Sequence, residues 1–317
     1  MIPLVLALAF AAAPIPKGDN YEGSIVLLLA KPDAEALILS PTGEELKRIS
    51  LSEIDGSIEA IRLGRDRSCL LVEVHHEKPD SKNQFQQSLY WVDVATKSKP
   101  KKLITKDSRF TWMVNRETTT IFGSESIATK NLSSDEFGPQ THWKYDVKTG
   151  KEEKVDLPKE YSFIDIAHAD NSILAAVAPP RKAPGEIRFV ILSTKDWKVT
   201  FQSPDGFVPR LLSSDGKTVI CDELNLKNNA IKQIKGMTIY NVKTKERSEF
   251  PISPMNGAVV AYTIGTNNRV VSVDAGINQV NNTKDSQEVH VFSYDGKSKT
   301  KIYSNKTGEQ ILDCDWR

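Results

Sequence analysis

The chain has 317 residues, of which 39% are hydrophobic and 26% are charged, and its Lys and Arg residues number 42 against 41 Asp and Glu residues. This apolar content supports a packed core and excludes a disordered chain. The formal charge of +1 gives no strong field to gather phosphate groups, so nucleic acid is excluded as an expected partner. The length allows two average domains or one large all-β domain.

The N-terminal stretch MIPLVLALAFAAAPIPKG begins with an apolar run that is too short to span a bilayer as a helix. Ala9 and Ala11 supply an A-x-A cleavage signal, which predicts a signal peptide over residues 1–11, with cleavage as late as residue 13 as an alternative. Residues 12–22 form a lead-in. The missing Lys or Arg at the start favours the other alternative, an uncleaved cytoplasmic chain. We expect a periplasmic or secreted protein without membrane insertion.

The rest of the chain consists of short runs of alternating apolar and polar residues, separated by turns rich in Gly, Asn, Asp, Lys and Thr. In chain order they include SIVLLLAK, SCLLVEV, SLYWVDV, THWKYDV, IRFVILS, KTVICDE, MTIYNV, RVVSVDA and EVHVFSYDG. A long apolar pattern with helical spacing is missing. The sequence therefore predicts an all-β fold.

One hairpin pattern recurs, in which a strand ends at a small polar residue before a turn such as KTG, ATK, KTK or YDG. A second strand pair around a tight turn precedes most copies, so each unit has four antiparallel strands. The spacing of the polar residues, 47 to 53, is near that of a propeller blade, and the residues are Ser40, Asp93, Asp146, Ser193, Asn241 and Ser293. Six units predict a six-bladed β-propeller.

The two ends of the chain are complementary in this scheme. The first unit lacks an innermost strand, and the last segment, EQILDCDWR, is a strand without a unit. We predict that this C-terminal strand pairs into the first blade and closes the ring, which removes exposed sheet edges. A single propeller domain is predicted over 23–317, with blades and closing strand at about 23–52, 53–106, 107–158, 159–204, 205–252, 253–306 and 309–317.

The turn SSDGK, from Ser213 to Lys217, resembles the S-P-D-G-K turn of WD40-like repeats in the TolB-type propeller family. The corresponding turns GRDRS, NRETT, HADNS and GTNNR differ from it, so the motif match covers one blade, whereas the repeat pattern covers about 20–317. The resemblance implies a WD40-like β-propeller. The family's partners are not implied, because its α/β domain ahead of the ring has no matching segment here.

The connections between the second and third strands of each blade, here called b–c connections, are predicted to be long and polar. Binding residues concentrate in such loops, although drift is an alternative because long loops cost little stability. His75 and His76 begin one of them beside Glu77 and are candidate binding residues, with a solvated strand end as the alternative. The predicted loops span 75–88, 123–140, 179–186, 222–236 and 275–287.

Several charged residues lie on the predicted innermost strands, where packing favours apolar residues: Glu59, Arg62, Asp165, Arg210, Asp313 and Asp315. Four of these, Arg62, Asp165, Arg210 and Asp313, are candidate binding residues for a polar ligand or cation in the channel. The structural alternative is that they line a water-filled tunnel and pair with each other, because unpaired buried charge is costly.

Motifs for catalysis, metals and cofactors are missing: the sequence has no G-x-S-x-G elbow, no H-E-x-x-H pair and no phosphate loop. Cys69, Cys221 and Cys314 match no metal-ligand spacing. We therefore expect no catalytic residues, metal or cofactor, and a binding or assembly module for a protein, peptide or cell-surface polymer. The alternatives are a propeller-type hydrolase or lyase with a site at the channel mouth, and a purely structural propeller.

Overall fold

The computed structural model describes 23–30, 33–64, 67–77, 85–96, 98–126, 139–177, 187–227, 230–250, 257–264, 269–276, 287–293, 298–306 and 308–316. These residues form 24 strands in six antiparallel sheets of four strands each. The predicted signal peptide and lead-in lie outside the described residues, and so do the central parts of most predicted b–c loops.

Each sheet is one blade. In most pairs of neighbouring blades the strands at one edge of each sheet contact each other, which places these strands innermost. From the innermost strand a to the outermost strand d, the blades contain β24 (Ile311–Trp316), β1 (Ile25–Leu29), β2 (Glu35–Leu39) and β3 (Glu45–Ser50); β4 (Ser57–Leu63), β5 (Cys69–Glu77), β6 (Phe85–Asp93) and β7 (Lys101–Lys106); β8 (Phe110–Val114), β9 (Thr120–Ser126), β10 (Gln140–Asp146) and β11 (Glu152–Val155); β12 (Tyr161–Ile166), β13 (Ile173–Val177), β14 (Arg188–Leu192) and β15 (Val199–Gln202); β16 (Phe207–Leu212), β17 (Thr218–Lys227), β18 (Ala230–Asn241) and β19 (Arg247–Glu249); and β20 (Gly257–Ile264), β21 (Arg269–Gly276), β22 (Gln287–Ser293) and β23 (Lys299–Ser304).

The C-terminal strand closes the ring. β24 pairs antiparallel with β1, with Trp316 opposite Ile25 and Cys314 opposite Leu27. The last strand of the chain thus becomes the innermost strand of blade 1. The predicted fold class, a six-bladed β-propeller of four-stranded blades with this closure, is confirmed.

Buried apolar clusters fill the seams between consecutive blades. In the seam of blades 6 and 1, Val273 and Val289 pack with Leu27 and Trp316. A four-stranded blade has two apolar faces, so each blade is stable only between two neighbours. The core is therefore a ring of seams around the axis.

The recurring polar residue at the end of strand c has a local cause, because its side chain accepts hydrogen bonds from backbone N–H groups of the following turn. Asp93 Oδ1 accepts from the N–H groups of Ala95 and Thr96, both at 2.8 Å. The Thr96 N–H lowers the pKa of the Asp93 carboxyl below its ordinary value. The same bond type occurs at Ser40, Asp146, Ser193, Asn241 and Ser293.

Two turns of different sequence share the backbone of the SSDGK turn. The N–H of Gly216, in blade 5, bonds to the carbonyl of Ser213. Arg67 in blade 2 and Thr118 in blade 3 make the same bond, to the carbonyls of Gly64 and Asn115. All three residues have left-handed φ angles, 72° for Gly216, 58° for Arg67 and 57° for Thr118. The turn geometry is therefore retained where the motif residues are not.

We expect glycine to be preferred wherever a turn needs this left-handed backbone. Replacing Gly216 by Ala should cost about 1 to 2 kcal/mol, because φ is positive and the new Cβ would lie 3.3 Å from the Cβ of Ala167. Lys245 is exposed and has a φ of 60°, so Lys245→Gly should raise stability by about 0.5 to 1 kcal/mol. Urea unfolding checks both, and changes of the same sign would contradict the prediction.

The b–c connection of blade 5 differs from its prediction. Residues 222–236 were expected to form a loop, but β17 continues to Lys227 and β18 begins at Ala230. The loop prediction is wrong there. Bulges between Glu223 and Leu224 and between Asn225 and Leu226 shift the register, which hides the alternation that marks a strand.

Two buried glutamines bind a blade to the next. Gln87 Nε2 donates to the carbonyl of Phe110 at 2.8 Å, and its Oε1 accepts the Phe110 N–H at 2.9 Å. Gln287 makes the same two bonds to Ile311, at 2.9 and 2.6 Å. Each glutamine side chain thus bonds to the backbone N–H and C=O groups of the first residue of an innermost strand. Gln287 thereby holds the closing strand.

Gln287→Ala should lower the free energy of unfolding by about 2 to 4 kcal/mol, because it leaves the N–H and C=O groups of Ile311 buried without their partners. Gln87→Ala should have a similar effect. Gln86→Ala is the control, since Gln86 bonds to Asp107 at the exposed surface and its loss should cost less than about 0.5 kcal/mol. Equal unfolding midpoints for the Gln86 and Gln287 variants in urea would refute the assignment.

Candidate functional site

Five of the six innermost strands carry a β-bulge at a corresponding position, where the register with strand b shifts by one residue. A bulge bends the strand and turns a side chain away from its regular direction. The bulges therefore define one level of the axial channel. The extra residues are Glu59, Ile164, Arg210, Val260 and Leu312.

The residue after the bulge is an aspartate in blades 4 and 1, and both carboxylates bond to the next blade. Asp165 Oδ2 accepts the N–H of Leu212 at 2.8 Å, and Asp313 Oδ2 accepts the N–H of Ile61 at 2.9 Å. The inner edge of an innermost strand has N–H groups without a strand partner, and a carboxylate satisfies them. These aspartates therefore link neighbouring innermost strands.

Asp315 extends the link between blades 1 and 2, because its Oδ2 accepts the N–H of Leu63 at 3.1 Å. Arg62 lies between these bonds, and its Nη1 donates to Asp313 Oδ2 at 2.8 Å and to the carbonyl of Ile61 at 2.7 Å. Its guanidinium lies 5.9 Å from the ring centroid of Trp112. Arg62 and Asp313, two of the predicted channel residues, are thus brought together as an ion pair.

The charged side chains around Arg62 shift each other's pKa values. Burial lowers the pKa of the Arg62 guanidinium, but the carboxylates of Asp313, Asp315 and Asp165 raise it by more, so it stays protonated. Burial raises the pKa of the Asp313 carboxyl, and Asp315 adds to this, although Arg62 opposes it. The guanidinium of Arg62 thus lies in the field of three carboxylates.

A polar cavity of about 80 Å³ lies beside this group, and all six innermost strands contribute to its wall. This space is large enough to hold several water molecules. Its lining comes from the C-terminal halves of the strands and from two a–b turns, so it lies at the end opposite the b–c connections. Its polar lining residues are Arg62, Asp165, His168, Ser214, Thr263 and Asp315.

Arg210 lies apart from this group. Its Nε and Nη2 donate to Asp222 Oδ2 at 2.9 and 2.5 Å, within its own blade, and 51% of its side chain is exposed. Asp222 is buried. Arg210 is the extra residue of its bulge, as Glu59 is in blade 2, and neither of them is among the lining residues of the cavity.

His75 and His76 have different neighbours, as alternation along a strand requires. His75 Nε2 lies 2.7 Å from Glu73 Oε1, and Trp112 Nε1 donates to the other oxygen of Glu73 at 2.6 Å. His76 Nε2 lies 3.1 Å from Ser88 Oγ. Burial, with the nearby charge of Lys102, lowers the pKa of His76. The two rings therefore belong to separate local environments.

The three cysteines are buried and not disulfide-bonded. Burial raises the pKa of Cys221 to about 12. Among the described residues, no group of three or more His, Cys, Asp or Glu side chains is arranged to hold a metal ion. Within the same part of the chain, no helix is long and apolar enough to cross a membrane.

The fold and its axial channel define the chain as a closed six-bladed β-propeller. No protein-family profile and no curated protein matches the sequence. Solved structures do match. TolB from Acinetobacter baumannii has a TM-score of 0.61 at 12% identity, and the match covers 94% of this chain and 67% of TolB. The TolB-type resemblance is thus supported at the level of the fold.

Two enzymes share the propeller. Oligogalacturonate lyase from Vibrio parahaemolyticus has a TM-score of 0.51 at 15% identity, with 85% of this chain and 71% of the lyase covered. Acylaminoacyl peptidase from Pyrococcus horikoshii has a TM-score of 0.50 at 14% identity, with 86% and 42% covered. At these identities the likeness concerns the fold alone, and the same ring occurs in proteins of different function.

Proposed function

We propose that this protein is a non-enzymatic binding or assembly module that acts in the periplasm or outside the cell. Its partner would be a protein or peptide recognised by the b–c end of the ring. The observation that carries the proposal is the asymmetry of the connections. Those between strands a and b and between strands c and d contain four to seven residues, whereas the b–c connections of blades 3, 4 and 6 contain ten or more: 127–139, 178–187 and 277–286. The b–c connections of blades 1, 2 and 5 contain two to seven residues, so the long loops predicted at 75–88 and 222–236 are short in the structure.

The bonds at the a–b end and in the channel support a proposal in which the ring is a rigid frame and its b–c end recognises the partner. At the a–b end, neighbouring turns are bonded to each other, as by the Ala169 N–H and the Ser214 carbonyl at 2.8 Å. At the channel, Asp165, Asp313 and Asp315 are engaged with backbone N–H groups of the next blade. A rigid frame with long connections at one end is the usual arrangement for recognition.

Affinity capture from an envelope extract of the organism that encodes the protein tests the proposal. We expect wild-type protein to retain a partner that is lost when 127–139, 178–187 and 277–286 are each replaced by a short turn. A variant with the c–d connection 94–100 replaced is the control and should retain the partner. Capture that survives all three replacements would refute recognition by the b–c end, and capture that survives protease treatment of the extract would assign a cell-surface polymer instead.

Export is tested separately. Intact-mass analysis of the protein isolated from an envelope fraction should give a chain that begins near Ala12, as the A-x-A signal predicts. Recovery of the full-length chain from the cytoplasmic fraction would contradict export.

The hydrolase or lyase alternative rests on the pair of His75 and Glu73, whose 2.7 Å contact orients the imidazole as in acid–base pairs. Its test is a turnover assay on oligosaccharide and peptide substrates. Activity that is abolished in His75→Gln but retained in His76→Gln would establish it in place of the binding module.

A further inference from the structure

Solvent reaches an innermost strand from the axis, because neighbouring blades cover its two faces and strand b covers one edge. Side-chain exposure on these strands therefore reports contact with the channel or its mouth. Among the described charged residues of the innermost strands, two are more exposed than the others. They are Glu59, 44% exposed, and Arg210, 51% exposed, whereas Arg62 and Asp313 are 31% and 17% exposed.

The two exposed residues lie on opposite walls. Blades follow one another around the ring, as the seams between consecutive blades show, so blades 2 and 5 are three steps apart in a ring of six. Glu59 and Arg210 are also the extra residues of the corresponding bulges in these blades. An anionic and a cationic residue therefore occupy corresponding positions on opposite sides of the ring.

Each of them is oriented by its own blade. Buried Asp222 accepts two hydrogen bonds from Arg210, and the Ser57 hydroxyl donates to Glu59 Oε1 at 2.7 Å. His75 Nδ1 lies 4.0 Å from the same oxygen. A charged group that is already held in place loses less conformational freedom on binding, which favours affinity.

Two of the blades between the charges contribute apolar residues at this level. Ile164 and Leu312 are the extra residues of the bulges in blades 4 and 1, and both are partly buried rather than fully covered. Both also pack against the apolar clusters of the adjacent seams, so their exposed parts are the apolar surface nearest to the two charged positions in the ring.

We propose that Glu59 and Arg210 bind a zwitterionic ligand that spans the channel, with its carboxylate on Arg210 and its ammonium group on Glu59. A guanidinium matches a carboxylate through two parallel hydrogen bonds, and an apolar segment of the ligand would contact Ile164 and Leu312. The chemical class is an amino acid or short peptide with separated charges. This inference rests on the proposed function and names the chemistry that would recognise a peptide partner at the channel.

Linear ω-amino acids from glycine to 8-aminooctanoate provide the test, because they change only the separation of the two charges. Calorimetric titration of the full chain should show an affinity that peaks at one chain length. Hexanoate and hexylamine, which carry one charge each, should bind more weakly by about tenfold or more than the zwitterion of best length. No saturable binding, or affinity that is independent of chain length, would overturn the proposal.

Variants locate the site. Arg210→Gln and Glu59→Gln should each weaken binding by about tenfold or more, and Arg210→Lys should have an intermediate effect because it retains the charge without the planar fork. The matched controls are Arg247→Gln and Glu153→Gln, which are 51% and 43% exposed on outer strands and should bind as wild type does. Equal losses in variants and controls would overturn the assignment.

The two proposals fail independently. Thermal unfolding of each variant shows whether it is folded, and the wild-type chain-length series needs no variant. If the amino acids do not bind but partner capture still depends on the b–c connections, the channel site is wrong and the binding module is retained.

Discussion

Removing Gln310–Arg317 should lower the unfolding temperature by at least about 10 °C. The deletion removes β24, in which Ile311, Cys314 and Trp316 are at most 3% exposed. Truncating a buried Trp side chain alone costs about 3 to 5 kcal/mol, and the loss of strand pairing adds to this. At roughly 2 °C per kcal/mol for a chain of this size, the sum exceeds 10 °C.

The truncation has a second consequence. β1 is buried along its whole length, from Ile25 to Leu29, and without β24 its edge would be open. An exposed apolar edge strand pairs with other chains, so the truncated protein should also aggregate. Circular dichroism melting and size-exclusion chromatography measure the two effects.

A single substitution separates the effect of side-chain packing from the effect of strand pairing. Trp316→Ala should cost about 3 to 5 kcal/mol, while Leu46→Ala on the outer strand β3, where the side chain is 38% exposed, should cost less than about 0.5 kcal/mol. A truncated chain that melts within a few degrees of wild type would refute the closure as a source of stability.

Arg62→Met should lower the free energy of unfolding by about 3 to 5 kcal/mol at neutral pH. The substitution retains an unbranched side chain near Trp112 but leaves the carboxylates of Asp313, Asp315 and Asp165 without their shared cation. Breaking a buried ion pair by removing one partner has a cost of this size, because the remaining charge is buried and uncompensated.

The sign of the pH dependence follows from Asp313. Burial already raises its folded-state pKa, and removing Arg62 raises it further, because the opposing positive charge is lost. A carboxyl with a raised folded-state pKa binds its proton more tightly when folded, so stability increases as pH falls towards the unfolded value of about 3.9. The deficit of Arg62→Met relative to wild type should therefore shrink between about pH 7 and pH 4.

Urea unfolding across this pH range measures the effect. In the double variant Arg62→Met, Asp313→Asn, the buried charge is removed together with its partner, so part of the lost stability should return. A deficit that is the same at pH 7 and pH 4, or one below about 1 kcal/mol, would contradict the role assigned to the pair.

The sequence predicted the six polar residues at the ends of the c strands, because each acts within its own turn, as Asp93 does with Thr96. It also predicted the closing strand, since a strand missing from the first unit and a strand left over after the last unit are both visible without coordinates. It did not predict the Gln287 bonds to Ile311, because an amide that satisfies the edge of another blade leaves no periodic signal.

For the channel residues, too, the sequence predicted one part of the arrangement and not the other. The sequence placed Asp165 and Asp313 at similar positions, and the register of the bulges gives them equivalent places after the extra residue. The sequence left open whether their carboxylates bind a ligand in the channel or pair with other charged residues there. In the structure they accept backbone N–H groups of the next blade, from Leu212 and Ile61.

Local patterning thus determined the all-β class, the number of blades and the closure of the ring, because strand alternation and turn chemistry act over a few residues. Only the tertiary structure decided which charges meet: Arg62 with Asp313 across 251 positions of the chain, and Arg210 with Asp222 instead of the channel aspartates. Such contacts depend on how blades stack and where strands bulge, and neither property has a period in the sequence.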